Sequence, residues 1–406
     1  MPEAVVVAAA RSPIGRAYKG SLRDLRADDL AVAMVRAALA QVPELDPADV
    51  DELILGCGQP AGEQGHGLAR VVAVLLGRDD LPATTVQRYC ASSLQSTRMA
   101  LHAIRAGEGS VFVSAGVESV SRYAAGKADG MPGTHNSLFA PAEARTAARA
   151  TGASDGWVDP RVSGTLPDVY VAMGQTAENV AQRYDVSRLA QDEFALRSQT
   201  NAQKAIADGF WARDITPVTS PDGTVIDADD CPRSGSTLAG LTALKPSFRA
   251  DGTVTAGNAC PLNDGAAALV IMSDVRAAEL GVTPLARIVS TGVAAISPEI
   301  MGVTPIAATR DALANAGMSV SDLDLVEINE AFAAQVVPCV RELGLDQDIV
   351  NVHGGAIAVG HPFGMTGARI TTSLIHALQW RDKQIGLETM CAAGGQGMAM
   401  VLERLS

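Results

Sequence analysis

The sequence predicts an α/β protein made of two similar halves, with a further segment inserted between them. Three observations support this prediction: the composition, a pattern that occurs twice, and a loop-rich stretch between its two occurrences. The 406 residues are 47% hydrophobic and 19% charged and include 39 glycines, which is typical of a globular α/β chain. A chain of this length exceeds one simple core, so we expect two or three structural units.

The repeated pattern is the end of an amphipathic helix, a short connection, and an Asp-x-Asp sequence that leads into an apolar strand. This Asp-x-Asp sequence is called the acidic step. The pattern is ALAQVPELDPADVDELIL at residues 38–55 and ALANAGMSVSDLDLVEI at residues 312–328. Such a helix-to-strand return is typical of a βαβ unit. The helices around Arg98 and Arg369 are also similar, which sets the two halves 271 residues apart. Patterns this short also arise by chance in unrelated βαβ units.

The boundaries of the three units follow from changes along the chain. We expect the first half to comprise residues 1–120 and 251–272, beginning with a buried strand in the apolar run that starts the chain. Residues 121–250 contain MPGTHNSLFAP and SPDGTVIDADDCPRSG around a few helices, and therefore predict an inserted loop domain. One helix is predicted from Ser187 to Asp208, because Gly209 follows it. The second half is then residues 273–406.

Charge and cysteine usage exclude several classes of protein. A net charge of −13 gives no electrostatic footprint for nucleic acid, and no basic run suggests a membrane surface. An anionic substrate would therefore need a local basic patch. Six scattered cysteines without a C-x-x-C pair argue against disulfides and a zinc site, and favour a reducing, cytoplasmic compartment. The acidic N-terminus with its short apolar run predicts a buried first strand and not a signal peptide or a membrane span.

Cys90 and His361 occupy equivalent positions in the two halves, since they are 271 residues apart. Each precedes a helix that follows a strand, where ligands gather in open α/β sheets. If the halves pack about a pseudo-twofold axis, the two side chains meet. A helix N-terminus would then lower the pKa of the Cys90 thiol, and a nearby imidazole would complete an activated nucleophile. The competing interpretation is an inert core thiol, the commonest state of cysteine.

Several other residues are candidates on their own setting. Cys391 precedes a glycine-rich turn, and His353 in NVHGG competes with His361 as a base. Asn329 follows a predicted strand, although an N-cap is the simpler interpretation. The glycine-rich stretches match neither a phosphate-binding P-loop nor the dinucleotide pattern, so they favour a site of backbone N–H groups. Core or incidental positions are expected for Cys57, Cys231 and Cys339, and no role is expected for His66, His102, His135 and His376.

Four motifs, QRYCASSLQ, NEAFA, GGAIAVGHPFGMTGAR and CAAGGQG, resemble in this order those of the thiolases. The resemblance runs nearly end to end and includes MGQTAENVA and QDEFALRSQ. It implies a thiolase-like fold, in which two repeated βαβαβαββ halves form a five-layered α-β-α-β-α core. It also implies the reaction acyl-CoA + acetyl-CoA ⇌ 3-ketoacyl-CoA + CoA, by a ping-pong route through an acylated cysteine. Coenzyme A is then substrate and product, with no other cofactor and no metal, in a homodimer or homotetramer.

The resemblance assigns a role to each motif. Cys90 is the nucleophile, His361 activates it, and Cys391 moves the proton at the acetyl α-carbon. Asn329 holds a water that forms one oxyanion hole with His361. The backbone N–H groups of Cys90 and Ala393 form the other hole. The acyl or pantetheine pocket is lined by Met173, Met301 and Phe332.

Departures from the family pattern leave parts of the site open. Ala393 replaces a glycine, Cys260 stands where serine is frequent, and Ala172 replaces a histidine found in acetoacetyl-CoA-type members. The last change leaves longer or branched acyl groups open. Some members place an arginine near the CoA phosphates, and this sequence lacks it in the equivalent loop. The nearby basic residues that could replace it are Arg233, Lys245 and Arg249.

Two other functions remain for the same motifs. A thiolase-like protein could hold acyl-CoA or lipid without turnover, which the complete set of Cys90, Asn329, His361 and Cys391 disfavours. A decarboxylating ketoacyl synthase or an HMG-CoA synthase relative would use different histidine and glutamate sets. The acyl chain length and the physiological direction stay open.

Overall fold

The computed structural model describes residues 1–123, 133–151 and 157–406. The predicted loop MPGTHNSLFAP therefore begins outside the described residues. The strands are β1 (Ala4–Arg11), β2 (Gly15–Arg16), β3 (Glu52–Cys57), β4 (Ala83–Val86), β5 (Val111–Ser119), β6 (Val218–Thr219), β7 (Val225–Ile226), β8 (Asn263–Ser273), β9 (Ala286–Ala295), β10 (Leu325–Ile328), β11 (Ile385–Ala392) and β12 (Gln396–Arg404).

The helices alternate with these strands in both halves. They are α1 (Ala27–Leu39), α2 (Leu68–Leu75), α3 (Ser92–Ala106), α4 (Val120–Tyr123), α5 (Ala140–Ala150), α6 (Met173–Arg183), α7 (Arg188–Ala207), α8 (Phe210–Asp214), α9 (Leu238–Thr242), α10 (Asp274–Leu280), α11 (Thr304–Ala316), α12 (Ala333–Leu343), α13 (Ala356–Val359) and α14 (Thr366–Trp380). Within the described ranges, no helix combines the length and apolar character needed to cross a bilayer.

The strands of the two halves follow the same order. In the first half the order is β4-β3-β5-β8-β1, with β3 parallel to β4 and β5, and β8 antiparallel to β5 and β1. In the second half it is β10-β11-β12-β9, with β10 parallel to β11 and β12 antiparallel to both neighbours. The equivalent of β4 is reduced to a parallel bridge between Val326 and Val350. The sequence repeat is therefore a structural repeat.

The acidic step of the repeated pattern has the same function in both halves. Asp51, just before β3, accepts hydrogen bonds from the backbone N–H groups of Ser110 and Val111 at the start of β5. Asp324, just before β10, accepts them from Gln384 and Ile385 at the start of β11. Each carboxylate fixes the beginning of the neighbouring parallel strand, because it satisfies N–H groups that the sheet leaves unpaired there.

Antiparallel pairing of β1 with β9 joins the described strands of the two halves into one ten-stranded sheet, whose two halves are called here the first and the second sheet. The helices form three layers that alternate with them. Helices α1 and α2 cover the outer face of the first sheet, and α11 and α12 cover the outer face of the second. Helices α3 and α14 lie between the sheets, in a core to which both halves contribute. This arrangement confirms the predicted thiolase-like fold with its five α-β-α-β-α layers.

Helices α3 and α14 cross in close contact near their N-termini. A Cβ atom added to Gly367 would lie 2.2 Å from the backbone nitrogen of Leu94. Next to this contact, the Ser93 hydroxyl accepts a hydrogen bond of 2.9 Å from the N–H of Ala368. Glycine at position 367 therefore lets the two helix starts, and the residues that precede them, lie side by side.

The segment between β5 and β8 carries α4 to α9 and the small β6–β7 hairpin. The predicted helix between Ser187 and Asp208 is confirmed as α7. The Ser187 hydroxyl caps it by accepting from Ala190 N–H, and Gly209 follows with a φ of 83°. Helix α7 packs against α12 and α13, so it buttresses the second half. The domain boundaries at residues 120, 250 and 272 stay a prediction.

We predict that Gly367→Ala destabilises the protein, because the added methyl group must push α3 and α14 apart. Overpacking of this kind lowers the free energy of unfolding by about 1–3 kcal/mol. Denaturant unfolding followed by circular dichroism would measure the change.

The matched control is Gly240→Ala in α9, where the nearest heavy atom to an added Cβ is the Thr237 Oγ at 3.2 Å. This change should leave stability within about 1 kcal/mol, since alanine favours helices. Equal unfolding midpoints for the two variants would contradict the close crossing.

Candidate active site

Cys90 lies in the short 3₁₀ turn Tyr89–Ala91 that leads into α3. Tyr89 has a φ of 46°, a left-handed conformation that is uncommon outside glycine. The Ser92 hydroxyl holds the turn, because it accepts from Arg88 N–H at 2.9 Å and donates to the Tyr89 carbonyl at 2.6 Å. Ser92 therefore fixes the turn, and Ser93 fixes its contact with α14 through the hydrogen bond from Ala368. The Cys90 side chain is only 8% exposed.

The pKa of the Cys90 thiol is raised, chiefly by burial and further by Cys391 and Glu118. The backbone N–H groups of Cys90 and Ala393 oppose this rise. The predicted lowering by the helix N-terminus is therefore wrong for the resting protein. Desolvation of a buried thiolate outweighs the helix dipole, so Cys90 is a neutral thiol at neutral pH.

His361 lies between α13 and α14, and hydrogen bonds on both ring nitrogens orient it. Its Nδ1–H donates to the Thr366 hydroxyl at 2.7 Å, and that hydroxyl donates to the Pro362 carbonyl at 2.7 Å. Its Nε2 accepts from the Asn329 side-chain amide at 3.2 Å. This network assigns the proton to Nδ1 and leaves Nε2 as a base. Burial, followed by the charge of Arg369, lowers the pKa of His361 to about 3, so the ring is neutral.

The backbone of His361 is held by a residue that the sequence did not single out. Asn263, at the start of β8, accepts from the His361 backbone N–H at 2.9 Å. Its own amide donates to the Gly15 carbonyl and to the Cys231 sulfur at 3.2 Å. Cys231, expected to be incidental, therefore contacts the residue that positions His361. Gly360 has a φ of 113° and abuts Asn263, so the backbone before His361 requires glycine.

Cys391 is fully buried near the end of β11, and it faces an apolar cluster with Met301 and Phe332. Met173 packs against the same cluster. Burial raises the pKa of the Cys391 thiol. The structure thus brings together three of the predicted pocket residues and the second predicted thiol.

The turn after Cys391 carries Ala393 to the mouth of a cleft. The φ angles of Gly394 and Gly395 are 76° and 80°, and a Cβ at Gly395 would lie 2.2 Å from the Ile296 carbonyl oxygen. Ala393 itself is partly exposed, so the turn accommodates its methyl group. A cleft of about 290 Å³ opens here, and it is lined by Gln59, Tyr89, Thr134, His135, Val169, Tyr170, Val171, Ala172, Met173 and Ala393.

Cys260 lies beside the NEAFA segment. Its N–H donates to the Ala331 carbonyl at 3.1 Å, and the preceding Ala259 forms a β-bridge with Phe332. Burial raises the pKa of the Cys260 thiol, and the charge of Cys90 raises it further. Within the described part of the chain, no group of three or more His, Cys, Asp or Glu could hold a metal ion.

The three basic residues expected to bind the CoA phosphates are not among the described residues that line the cleft. Arg233 and Lys245 are exposed on the inserted segment. Arg249 is buried, and its guanidinium donates to the side-chain oxygens of Gln175 and Asn179 at 2.8 and 2.7 Å. Arg249 therefore stabilises the inserted segment, and its expected availability for an anion is wrong.

His353, the competing base, lies in a different environment. Its ring stacks on Phe210 with centroids 3.7 Å apart, and burial lowers its pKa to about 4. His376 contacts Asp214 at 2.7 Å, in a buried ion-pair network that includes Arg11. These histidines stabilise the packing of α8 and α14, whereas His361 is the imidazole next to Asn329.

The comparisons with known proteins agree over the whole chain. Residues 4–275 match the family "Thiolase, N-terminal domain", and residues 282–404 match "Thiolase, C-terminal domain". A 3-oxoadipyl-CoA/3-oxo-5,6-dehydrosuberyl-CoA thiolase of Escherichia coli K12 is 44% identical over 100% of both chains. A 3-ketoacyl-CoA thiolase of Bacillus subtilis is 40% identical over 99% of this chain and 100% of that one.

Solved structures give the same result. The human mitochondrial 3-ketoacyl-CoA thiolase is 36% identical and superimposes with a TM-score of 0.85, covering 100% of this chain and 99% of that one. The acetyl-CoA acetyltransferase of Bacillus anthracis is 39% identical, with the same TM-score and coverage.

We predict that Thr366→Val removes the fixed tautomer of His361, since Nδ1–H loses its acceptor. The wild-type protein should show the Nδ1–H form almost alone, and the variant a mixture of the two neutral tautomers. Histidine ¹⁵N NMR at neutral pH, with His361 assigned by His361→Asn, would measure the populations.

The matched control is Thr372→Val in the same helix, where the buried hydroxyl only donates to the Ala368 carbonyl. It should retain the wild-type spectrum of His361. A spectrum unchanged in Thr366→Val would contradict the proton assignment.

Proposed function

The chain belongs to the thiolase family, whose members are acyltransferases, and from this premise we propose that it is a 3-ketoacyl-CoA thiolase. The proposed reaction is acyl-CoA + acetyl-CoA ⇌ 3-ketoacyl-CoA + CoA. The observation that carries the proposal is the convergence on Cys90 of the Ala393 N–H group and the Cys391 thiol, with the Asn329–His361 pair in the same core. Coenzyme A is substrate and product, and no further cofactor is required.

In the first half-reaction, the Cys90 sulfur attacks the thioester carbonyl of acyl-CoA. His361 Nε2 accepts the thiol proton as the bond forms, because both groups are neutral at rest. The developing oxyanion on the carbonyl carbon is stabilised by the N–H groups of Cys90 and Ala393. The C–S bond to CoA then breaks, CoA leaves with the proton, and the acyl group stays on Cys90.

In the second half-reaction, acetyl-CoA occupies the place that CoA has left. Cys391 first gives its thiol proton to His361 Nε2, and the resulting thiolate removes a proton from the acetyl α-carbon. The enolate oxygen is stabilised by the Asn329–His361 pair. The enolate carbon attacks the acyl carbonyl, the bond to Cys90 breaks, and the thiolate of Cys90 takes up the proton held by His361, which restores the neutral groups of the resting protein. Two separate sites for negative charge thus serve two separate steps.

The chemistry of the cleft supports a 3-ketoacyl group larger than acetoacetyl. Ala172 caps α6 at the cleft with a methyl group, next to Met173. The sequence resemblance places a histidine at this position in acetoacetyl-CoA-type members. Relatives named for 3-oxoadipyl-CoA and 3-ketoacyl-CoA are consistent with a longer chain.

We predict that Cys391→Ala is acylated by acyl-CoA but does not complete turnover. The first half-reaction does not use Cys391, whereas the second loses its base and slows by about 10²–10⁴-fold. After incubation with acetyl-, butyryl- or octanoyl-CoA and removal of free CoA, intact mass spectrometry should show one acyl group on Cys90. The octanoyl adduct should form at least as fast as the acetyl adduct.

Two controls define the outcome. Cys339→Ala removes another fully buried cysteine, outside the cleft, and should keep wild-type thiolysis of 3-ketoacyl-CoA. Cys90→Ser should give no thioester adduct. An adduct on another cysteine, or none at all, would refute the ping-pong route. A protein that binds acyl-CoA but shows no CoA-dependent loss of any 3-ketoacyl-CoA would be a binder.

A further inference from the structure

Glu118, near the end of β5, is a fully buried carboxylate in contact with both halves of the molecule. Among the described residues, no lysine, arginine or histidine forms an ion pair with it. Four N–H groups surround it instead. Oε2 accepts from the backbone of Gly58 at 2.8 Å and Gly364 at 2.9 Å, and Oε1 accepts from Gln59 backbone and Gln64 side chain at 3.1 Å each.

These donors come from the segments that border Cys90 and His361. Gly58 follows β3, and a Cβ added to it would lie 3.2 Å from the Tyr89 carbonyl oxygen and 2.7 Å from Phe363 Cβ. Gly364 belongs to the loop that runs from His361 into α14. One carboxylate oxygen therefore joins the segment after β3, which packs against the Tyr89 carbonyl of the Cys90 turn, to the loop that presents His361.

We propose that ionised Glu118 is a positioning residue that holds the His361 loop against the Cys90 turn during catalysis. The inference rests on the proposed thiolase function. Each oxygen accepts two N–H groups, which only a carboxylate can do without placing a hydrogen against a donor. Protonation, or replacement by an amide, would break the bonds at one oxygen and release one of the two segments.

The groups around Glu118 define how it titrates. Burial raises the pKa of Glu118 to about 7, although the four N–H groups oppose the rise. The titratable groups facing it are the thiols of Cys57, whose sulfur is 3.9 Å from Oε1, and Cys90. Glu63, on the neighbouring turn, faces outward and pairs with Arg26 and Arg122.

The sign of the pH effect follows. Since the folded pKa exceeds the usual value of an unfolded glutamate, the folded protein binds the extra proton between about pH 4.5 and 7. Stability therefore falls as the pH rises through this window, and the four hydrogen bonds are complete only above it, where Glu118 is ionised. Turnover should therefore fall as the pH drops through about 7.

The test is the pair Glu118→Gln and Glu118→Asp, with Glu388→Gln as the matched control. Glu388 is also fully buried, but it accepts only from the Thr371 hydroxyl at 2.8 Å and its Oε2 has no partner. An amide therefore fits at that position. Thiolysis of a 3-ketoacyl-CoA would be measured from pH 5.5 to 8.5, together with the rate of Cys90 alkylation by iodoacetamide.

We expect Glu118→Gln to lower kcat by about 10–100-fold at pH 8, with KM for CoA changed less than about threefold. The fall of kcat below about pH 7, called the acid limb, should be absent in this variant. Cys90 should be alkylated faster than in the wild type, because the negative charge of Glu118 raises the pKa of that thiol. Glu118→Asp should keep an acid limb, and Glu388→Gln should match the wild type.

Folded Glu118→Gln protein with wild-type kcat, or with an intact acid limb, would overturn the proposal. So would unchanged alkylation of Cys90. If Glu118→Gln does not fold, a wild-type kcat that stays constant between pH 6 and 8 would overturn the proposal. Loss of all thiolysis in the wild type would refute the thiolase function instead, and the alkylation rates would still decide the role of Glu118.

Discussion

The close crossing of α3 and α14 is the contact on which the site depends. Two helices from equivalent places in the repeat pack at their N-termini, with Gly367 against the backbone of Leu94. A pseudo-twofold arrangement of this kind places the residue before each helix at the same junction. Cys90 lies two residues before α3 and His361 lies five residues before α14, so both are close to this crossing. In the proposed mechanism the first half thus contributes the nucleophile, and the second half contributes its base.

Burial sets the electrostatics of this junction. It keeps Cys90, Cys391 and His361 neutral at rest, because each charged form would lose hydration. In the proposed mechanism, negative charge develops next to the N–H groups of Cys90 and Ala393 in the first step and next to the Asn329–His361 pair in the second. Glu118 is the exception, a carboxylate held by four N–H groups and by no cation. Its burial lowers the stability of the protein near neutral pH. Its hydrogen bonds connect Gly58, after β3, to Gly364 in the loop that follows His361.

Much of the site could be predicted from the sequence, because its residues sit in local patterns. The offset of the repeat paired Cys90 with His361, and the acidic steps at Asp51 and Asp324 marked equivalent strands. The supporting residues could not be found in this way. Glu118 meets Gly364, and Asn263 meets His361, across separations that no local pattern encodes. The direction of the Cys90 pKa shift was missed for a related reason, since burial depends on the whole fold.

The central claim is that Cys90 and His361 meet as a neutral pair and exchange a proton only during reaction. The pH dependence of Cys90 alkylation by iodoacetamide in the resting protein tests it most directly, with Cys90→Ser to subtract the other thiols. The rate should keep rising above pH 9, because burial raises the pKa of this thiol above its usual value. A rate that levels off below pH 8 would show a thiolate–imidazolium pair at rest and would contradict the account.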